Sequence, residues 1–126
     1  MSRQVVSTDK APAAIGPYSQ AIKAGGFVFT SGQIPIDPTS GNIEASDITG
    51  QTEQVMKNLE AVLKAAGADF SKVVKTTIFL VDLAHFAIVN EIYAKRFPKE
   101  PPARSCIQVS KLPKDSLVEI EMVALV

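Results

Sequence analysis

The stretch from Asp47 to Ala66 leaves this chain the least freedom. Its apolar residues Ile48, Val55, Met56, Leu59, Val62, Leu63 and Ala66 recur at helical spacing and make one continuous stripe. Glu53 precedes Lys57 by four residues and Glu60 precedes Lys64 by four, the favourable orientation for ion pairs on the opposite, wet face. Asp47 stands where a helix start needs an acceptor, and Gly67 where its end needs a left-handed residue. Gly50 in the first turn is expected to cost up to about 1 kcal/mol against alanine, a cost the stripe should override. An amphipathic helix this long must lay its stripe on another layer, so the remaining segments have to supply one.

They read as strands. Ala21–Ala24 and Phe27–Ser31 flank Gly25-Gly26, two residues that tolerate the positive φ of a tight hairpin turn. Ile34–Ser46, with Pro35, Asp37-Pro38, Ser40 and Gly41, reads as a loop. Val73–Val81 is a strand with Val74, Ile78 and Leu80 on one face and Val73, Phe79 and Val81 on the other, both faces in part apolar and so both expected to be covered. Asp82 is placed to cap a second helix carrying Phe86, Val89, Tyr93 and Phe97, which stops at Pro98. Ala103–Val109 and Leu117–Leu125 are two further strands, the last with Val118, Ile120, Met122 and Ala124 towards the core.

The order predicts an α+β fold in one domain, residues 1–126: a sheet of about six strands with two helices packed on one face. The other face keeps Val73, Phe79, Val123 and Leu125 among polar groups. A mixed apolar face on so small a chain is most simply covered by another copy, so a homo-oligomer is expected.

Composition narrows the function. Thirteen Lys and Arg balance thirteen Asp and Glu, whereas nucleic-acid binders carry a basic excess. No apolar run reaches the ~20 residues of a membrane span. The start, Met1-Ser2-Arg3-Gln4, lacks the basic stretch and apolar block of a secretion signal. One cysteine precludes an internal disulfide, in keeping with a reducing cytosol, and one histidine beside it gives no basis for a His/Cys metal site. The expected setting is the cytoplasm.

Arg104 leads the candidate residues. It opens a strand after Pro101-Pro102-Ala103 and shares a face with Cys106 and Gln108, opposite Ser105 and Ile107. A guanidinium on a strand is held firmly and its planar fork suits a carboxylate or phosphate. The other reading, which periodicity alone favours, is a surface arginine paired with Glu119 or Glu121. Cys106 is a nucleophile only if a base such as His85 ionises it, and is otherwise a small core residue. Tyr18 either packs its ring at a wet edge or covers a small polar ligand. Ser31-Gly32-Gln33 is either an ordinary turn or a source of a hydroxyl and free backbone N–H groups. Asn90 either meets a ligand or faces solvent.

Taken together, Ala14–Ala21, Thr30–Pro35, Val74–Thr77, Val89-Asn90, Pro102–Cys106 and Glu119–Glu121 resemble the RidA (YjgF) family of enamine/imine deaminases, from about Ala11 to the C-terminus. The resemblance implies a chorismate-mutase-like fold and a homotrimer with clefts between subunits. It implies hydrolysis of reactive 2-enamino or 2-imino acids (2-iminobutanoate, 2-iminopropanoate), released by pyridoxal-phosphate dehydratases, to 2-oxo acids and ammonia. It places the substrate carboxylate on Arg104, with Cys106 acting mainly through its backbone, and pocket roles on Tyr18, Ser31, Asn90 and Glu119. Glu119 is then the expected base for water, directly or by positioning it. Gly32 is expected among the substrate-binding residues, and no metal or organic cofactor is called for. Two other classes stay open: a trimer that binds small carboxylates without turnover, and an endoribonuclease or translation inhibitor, activities reported for relatives. The neutral charge and absence of a basic, aromatic stripe argue against the last.

Overall fold

A computed structural model describes residues 2–126; Met1, which opens the segment read against a secretion signal, lies outside the described residues. The chain runs β1 (Gln4–Val6), β2 (Ala21–Ala24), β3 (Phe27–Thr30), α1 (Ile48–Ala65), β4 (Val73–Leu80), α2 (Phe86–Ala94), β5 (Ala103–Gln108) and β6 (Val118–Leu125). The strands form one sheet in the order β1-β2-β3-β6-β4-β5. Every pairing is antiparallel except β4 with β5, which α2 joins by a crossover. The α+β architecture with two helices on a mixed sheet is the expected one.

Both helices pack on one face. Val55, Leu59 and Leu63 of α1 are fully buried, as are Val28, Ile78 and Ile120 of the strands beneath. The Asp47 side chain accepts the Gly50 N–H at 2.9 Å, and Gly67 follows the helix with φ 87°. Gly50 is more than a weak helix former, because a Cβ there would stand 2.7 Å from Ala45 Cβ and 3.0 Å from Asp47 Oδ1. The glycine lets the incoming loop fold against the cap. Among the described residues no helix is long and apolar enough to cross a membrane.

Three local readings change. The sixth strand is β1, three residues too short to show a period; it holds because it pairs with β2 and because Gln20, buried behind it, binds the following segment. Gln20 Nε2 donates to the carbonyls of Thr8, Ala11 and Pro12, and its Oε1 accepts the Thr8 N–H at 2.7 Å. In β4 a bulge intervenes between Val73, opposite Ala124, and Lys75, opposite Val123. The extra residue reverses the alternation before it, so Val73 lies buried and Val74 exposed, the opposite of strict period-two reading. Asp82 caps a 3-10 turn, Leu83–His85, by accepting the Ala84 N–H, and α2 begins after it.

The second sheet face carries exposed Phe29, Ile107 and Leu125 beside β1's Val5. It is the mixed apolar face read from the sequence, with Val73 removed from it by the bulge.

Candidate functional site

Two clusters gather the candidate residues, one on each face of the sheet. The first is built by β5 and α2. The parallel register sets Arg104 beside Thr76, Cys106 beside Ile78 and Gln108 beside Leu80. Thr76, Ile78 and Leu80 point to the helices, so Arg104, Cys106 and Gln108 do too. Gln108 Oε1 accepts the Leu83 N–H at 2.9 Å, tying the approach to α2 onto β5.

Arg104 meets three residues of one α2 face. Its Nη1 donates to Asn90 Oδ1 at 2.8 Å, and its guanidinium carbon lies 5.1 Å from the centre of the Tyr93 ring and 5.4 Å from that of Phe86. Both rings are within cation–π range. No carboxylate pairs with Arg104 among the described residues. The surface ion pair with Glu119 or Glu121 is therefore not formed. What stands there is a part-buried cation whose one side-chain hydrogen-bond partner among the described residues is a neutral amide, beside a cavity of about 380 Å³ lined by Asn90, Tyr93, Phe97, Pro101, Pro102 and Arg104. Its remaining N–H groups suit an anion with two oxygens.

Cys106 is part-buried next along this face. Burial pushes its thiol up, outweighing the opposite pull of Arg104. The group stays a thiol at neutral pH, the wrong form for a nucleophile. His85 makes no hydrogen bond to it among the described residues, and its buried Nδ1 has no partner there.

The second cluster forms where β3 leaves β6. The ladder pairs Phe29 with Val123, then resumes with Gln33 opposite Ile120. Thr30, Ser31 and Gly32 thus span what Met122 and Glu121 span on β6, an extra residue that bows the chain outward. The Thr30 hydroxyl takes over one ladder bond by accepting the Met122 N–H at 3.0 Å. Ser31 N–H donates to Gln20 O, Gln33 N–H donates to Ile120 O, and the Gly32 N–H has no partner among the described residues.

Glu119 lies across Gly32. A Cβ at Gly32 would be 2.1 Å from Glu119 Oε2 and 2.8 Å from its Cδ. The glycine is there to admit a carboxylate. Burial, and after it the like charge of Glu121, pushes the Glu119 carboxyl above the ordinary glutamate value of 4.5. Ser31 Oγ donates to Ser19 O at 2.5 Å, and with the exposed Tyr18 it lines a cavity of about 490 Å³ that also takes in Arg3 and Phe29.

Gly32→Ala is expected to keep the fold, since only the mobile end of a side chain must yield, and to move the carboxylate by an ångström or more. If Glu119 handles a reacting proton, such a displacement lowers kcat about a hundredfold with an unchanged circular-dichroism spectrum. A variant of near-native rate would remove Glu119 from the chemistry.

Glu119 and Arg104 belong to opposite faces. Glu119 pairs with Phe79 and Glu121 with Thr77, the β4 residues that alternate with Thr76 and Ile78. Within one chain the cation and the carboxylate are thus separated by the sheet. The structure brings Arg104, Asn90 and Cys106 together, and separately Tyr18, Ser31, Gly32 and Glu119. Tyr93, Phe86 and Gln20 were read as core or passed over. The spacing Phe86, Asn90, Tyr93 places all three on one helix side and was the available signal for the first two.

A family model described as Endoribonuclease L-PSP matches residues 8–126. The chain is similar to the human protein named 2-iminobutanoate/2-iminopropanoate deaminase, with 50% identity over 123 residues, 98% of this chain and 90% of the human one. It is 56% identical over 124 residues to the chloroplastic Reactive Intermediate Deaminase A of Arabidopsis thaliana, covering 98% of this chain and 66% of that protein, just under two thirds of its length. Among solved structures, a conserved Rid family protein of unknown function from Yersinia pestis superposes with a TM-score of 0.97 at 51% identity, over 99% of this chain and 100% of that one.

Proposed function

This chain belongs to the Endoribonuclease L-PSP family, which takes in the RidA deaminases, and from that premise we propose that it hydrolyses small 2-imino acids, 2-iminobutanoate and 2-iminopropanoate among them, to 2-oxo acids and ammonia. The observation that carries the reading is Arg104: a part-buried guanidinium with no carboxylate partner among the described residues, fixed by Asn90 and two rings. Such a group anchors a small anion. The names of the relatives supply the imine.

Because Arg104 and Glu119 face opposite sides of the sheet, a complete site takes Arg104, Asn90 and Cys106 from one copy and Tyr18, Ser31, Gly32 and Glu119 from another. The exposed apolar face that bears Glu119 suits such an assembly, and a homotrimer with three inter-subunit clefts is the form we propose. The fork of Arg104 holds the substrate carboxylate by two charge-assisted hydrogen bonds and sets the imine carbon beside Glu119. A water adds its oxygen to that carbon of the protonated imine, the C=N π pair moving to nitrogen, while the water's proton passes to the Glu119 carboxylate. The C–N bond of the resulting carbinolamine breaks after Glu119 returns the proton to nitrogen. Ammonia departs, and loss of the hydroxyl proton gives the 2-oxo acid. The Gly32 N–H is the nearby donor that steadies the changing groups, and the Ser31 hydroxyl, its proton given to Ser19 O, offers an acceptor beside it. The Cys106 thiol stays outside the bond changes, consistent with its raised pKa.

The test supplies 2-iminobutanoate continuously from a threonine dehydratase and times the appearance of 2-oxobutanoate. An enzyme accelerates release in proportion to its concentration, whereas a carboxylate-binding protein without turnover leaves the rate unchanged and ends this reading. Titration gives a second check. A base must be ionised, so kcat/KM rises with pH through the Glu119 pKa, with its acid limb above the ordinary 4.5. Glu121→Gln removes a neighbouring negative charge, makes the Glu119 anion easier to form and moves the limb to lower pH. A limb that stays put, or shifts upward, would rule out Glu119 as the group behind it.

A further inference from the structure

Resting on the reading of Arg104 as the carboxylate anchor, we infer that Tyr93 is the positioning residue that fixes the plane and depth of the guanidinium, its ring held in place by Phe97 and by the Thr76 hydroxyl together. Of the two aromatic residues over Arg104, Phe86 is 37% exposed and Tyr93 only 4%, so Tyr93 is the fixed wall. Its ring packs on Phe97 with centres 4.7 Å apart, and Phe97 packs edge-on against Phe70 at 5.6 Å. Its hydroxyl shares a buried 2.7 Å hydrogen bond with the Thr76 hydroxyl. Burial pushes the phenol up, so it stays protonated and able to share that bond.

Thr76 is also the residue beside Arg104 in the β4–β5 register. The atom that tethers the ring and the backbone that carries the arginine are therefore neighbours in one ladder. Packing on Phe97 and the hydroxyl pair each keep the ring from sliding along the sheet, and the guanidinium cannot tilt away without leaving the ring face. Asn90 closes the arrangement from the same side of α2 with its 2.8 Å bond. An arginine side chain has many rotamers, and holding it before the substrate arrives spares that ordering cost on binding. The predicted contribution of Tyr93 is electrostatic and geometric, through its π face rather than its hydroxyl.

Binding of 2-oxobutanoate, followed by calorimetry on the whole protein, separates these roles. Tyr93→Leu removes the π face and is expected to weaken binding about tenfold, the span of a part-desolvated cation–π contact. Tyr93→Phe keeps the face but leaves the Thr76 hydroxyl alone in the core, so it should lower the thermal midpoint while binding within about twofold of wild type. Adding Thr76→Val removes the orphaned hydroxyl and should restore much of the midpoint, again with near-native affinity. Should the leucine variant not fold, Tyr93→Met fills the space with a flexible thioether and takes its place. A role confined to packing would make affinity follow the midpoint across the series. Leucine or methionine variants that bind as wild type does, or a phenylalanine variant as weak as they are, would overturn the inference and leave Arg104 as the anchor. Wild-type protein that does not bind 2-oxobutanoate overturns the anchor itself, and the role of Tyr93 with it.

Discussion

Replacing Arg104 with alanine is expected to lower kcat/KM for imine hydrolysis about a thousandfold. The two charge-assisted hydrogen bonds to the substrate carboxylate contribute about 1.5–3 kcal/mol each, and their sum spans roughly a hundred- to ten-thousandfold. The fold should be untouched. Arg104 has no ion pair to break among the described residues, and its removal leaves Asn90, itself only part-buried, open to water. Arg104→Lys keeps the charge without the planar fork and should recover only part of the loss. The measurement is the dehydratase-coupled assay at several substrate fluxes, beside the thermal midpoint of each variant. A loss below tenfold in Arg104→Ala, in a folded protein, would mean that the carboxylate is held elsewhere.

Mixing two dead proteins should revive activity. Glu119→Gln keeps shape and hydrogen bonding but cannot take a proton, so a loss of about a hundred- to ten-thousandfold is expected, the usual contribution of general base catalysis. Arg104→Ala fails for the reason above. If each site draws the arginine from one copy and the glutamate from the next, unfolding and refolding the two variants together yields sites that carry both native residues. Random assembly of equal amounts makes about a quarter of the sites wild type, whatever the size of the closed ring. A site within one chain would give no recovery at any ratio. The prediction follows from register alone: Arg104 stands beside Thr76 and Glu119 beside Phe79, residues of opposite face on β4. Mixtures as inactive as their parents would dismiss the shared site while leaving the individual roles intact.

Much of this protein was legible in its sequence where local physics has one answer. The stripe from Ile48 to Ala66 could only be a helix on a layer, and Gly25-Gly26 between two β-prone runs could only be a tight turn. Arg104 was assigned correctly to the face of Cys106 and Gln108, because strand alternation is a local rule. That rule broke at Val73 and Val74, where a bulge adds a residue with no partner on β6, a strand some fifty positions away. Strand β1 was invisible for a similar reason: its hold on the sheet comes from β2 and from the amide of Gln20.

The candidate site divides along the same line. Residue types and neighbours along the chain were enough to nominate a fork-shaped cation on a strand, a glycine after a hairpin and a carboxylate on the last strand. Resemblance added their proposed roles. That Gly32 exists to admit Glu119, that Tyr93 lies beneath Arg104, and that cation and carboxylate look away from each other were decided by the tertiary structure. Periodicity reports which side of its own element a residue takes. Which elements become neighbours, in what register and on which side of a shared sheet, depends on pairings between distant segments, and no local pattern encodes them.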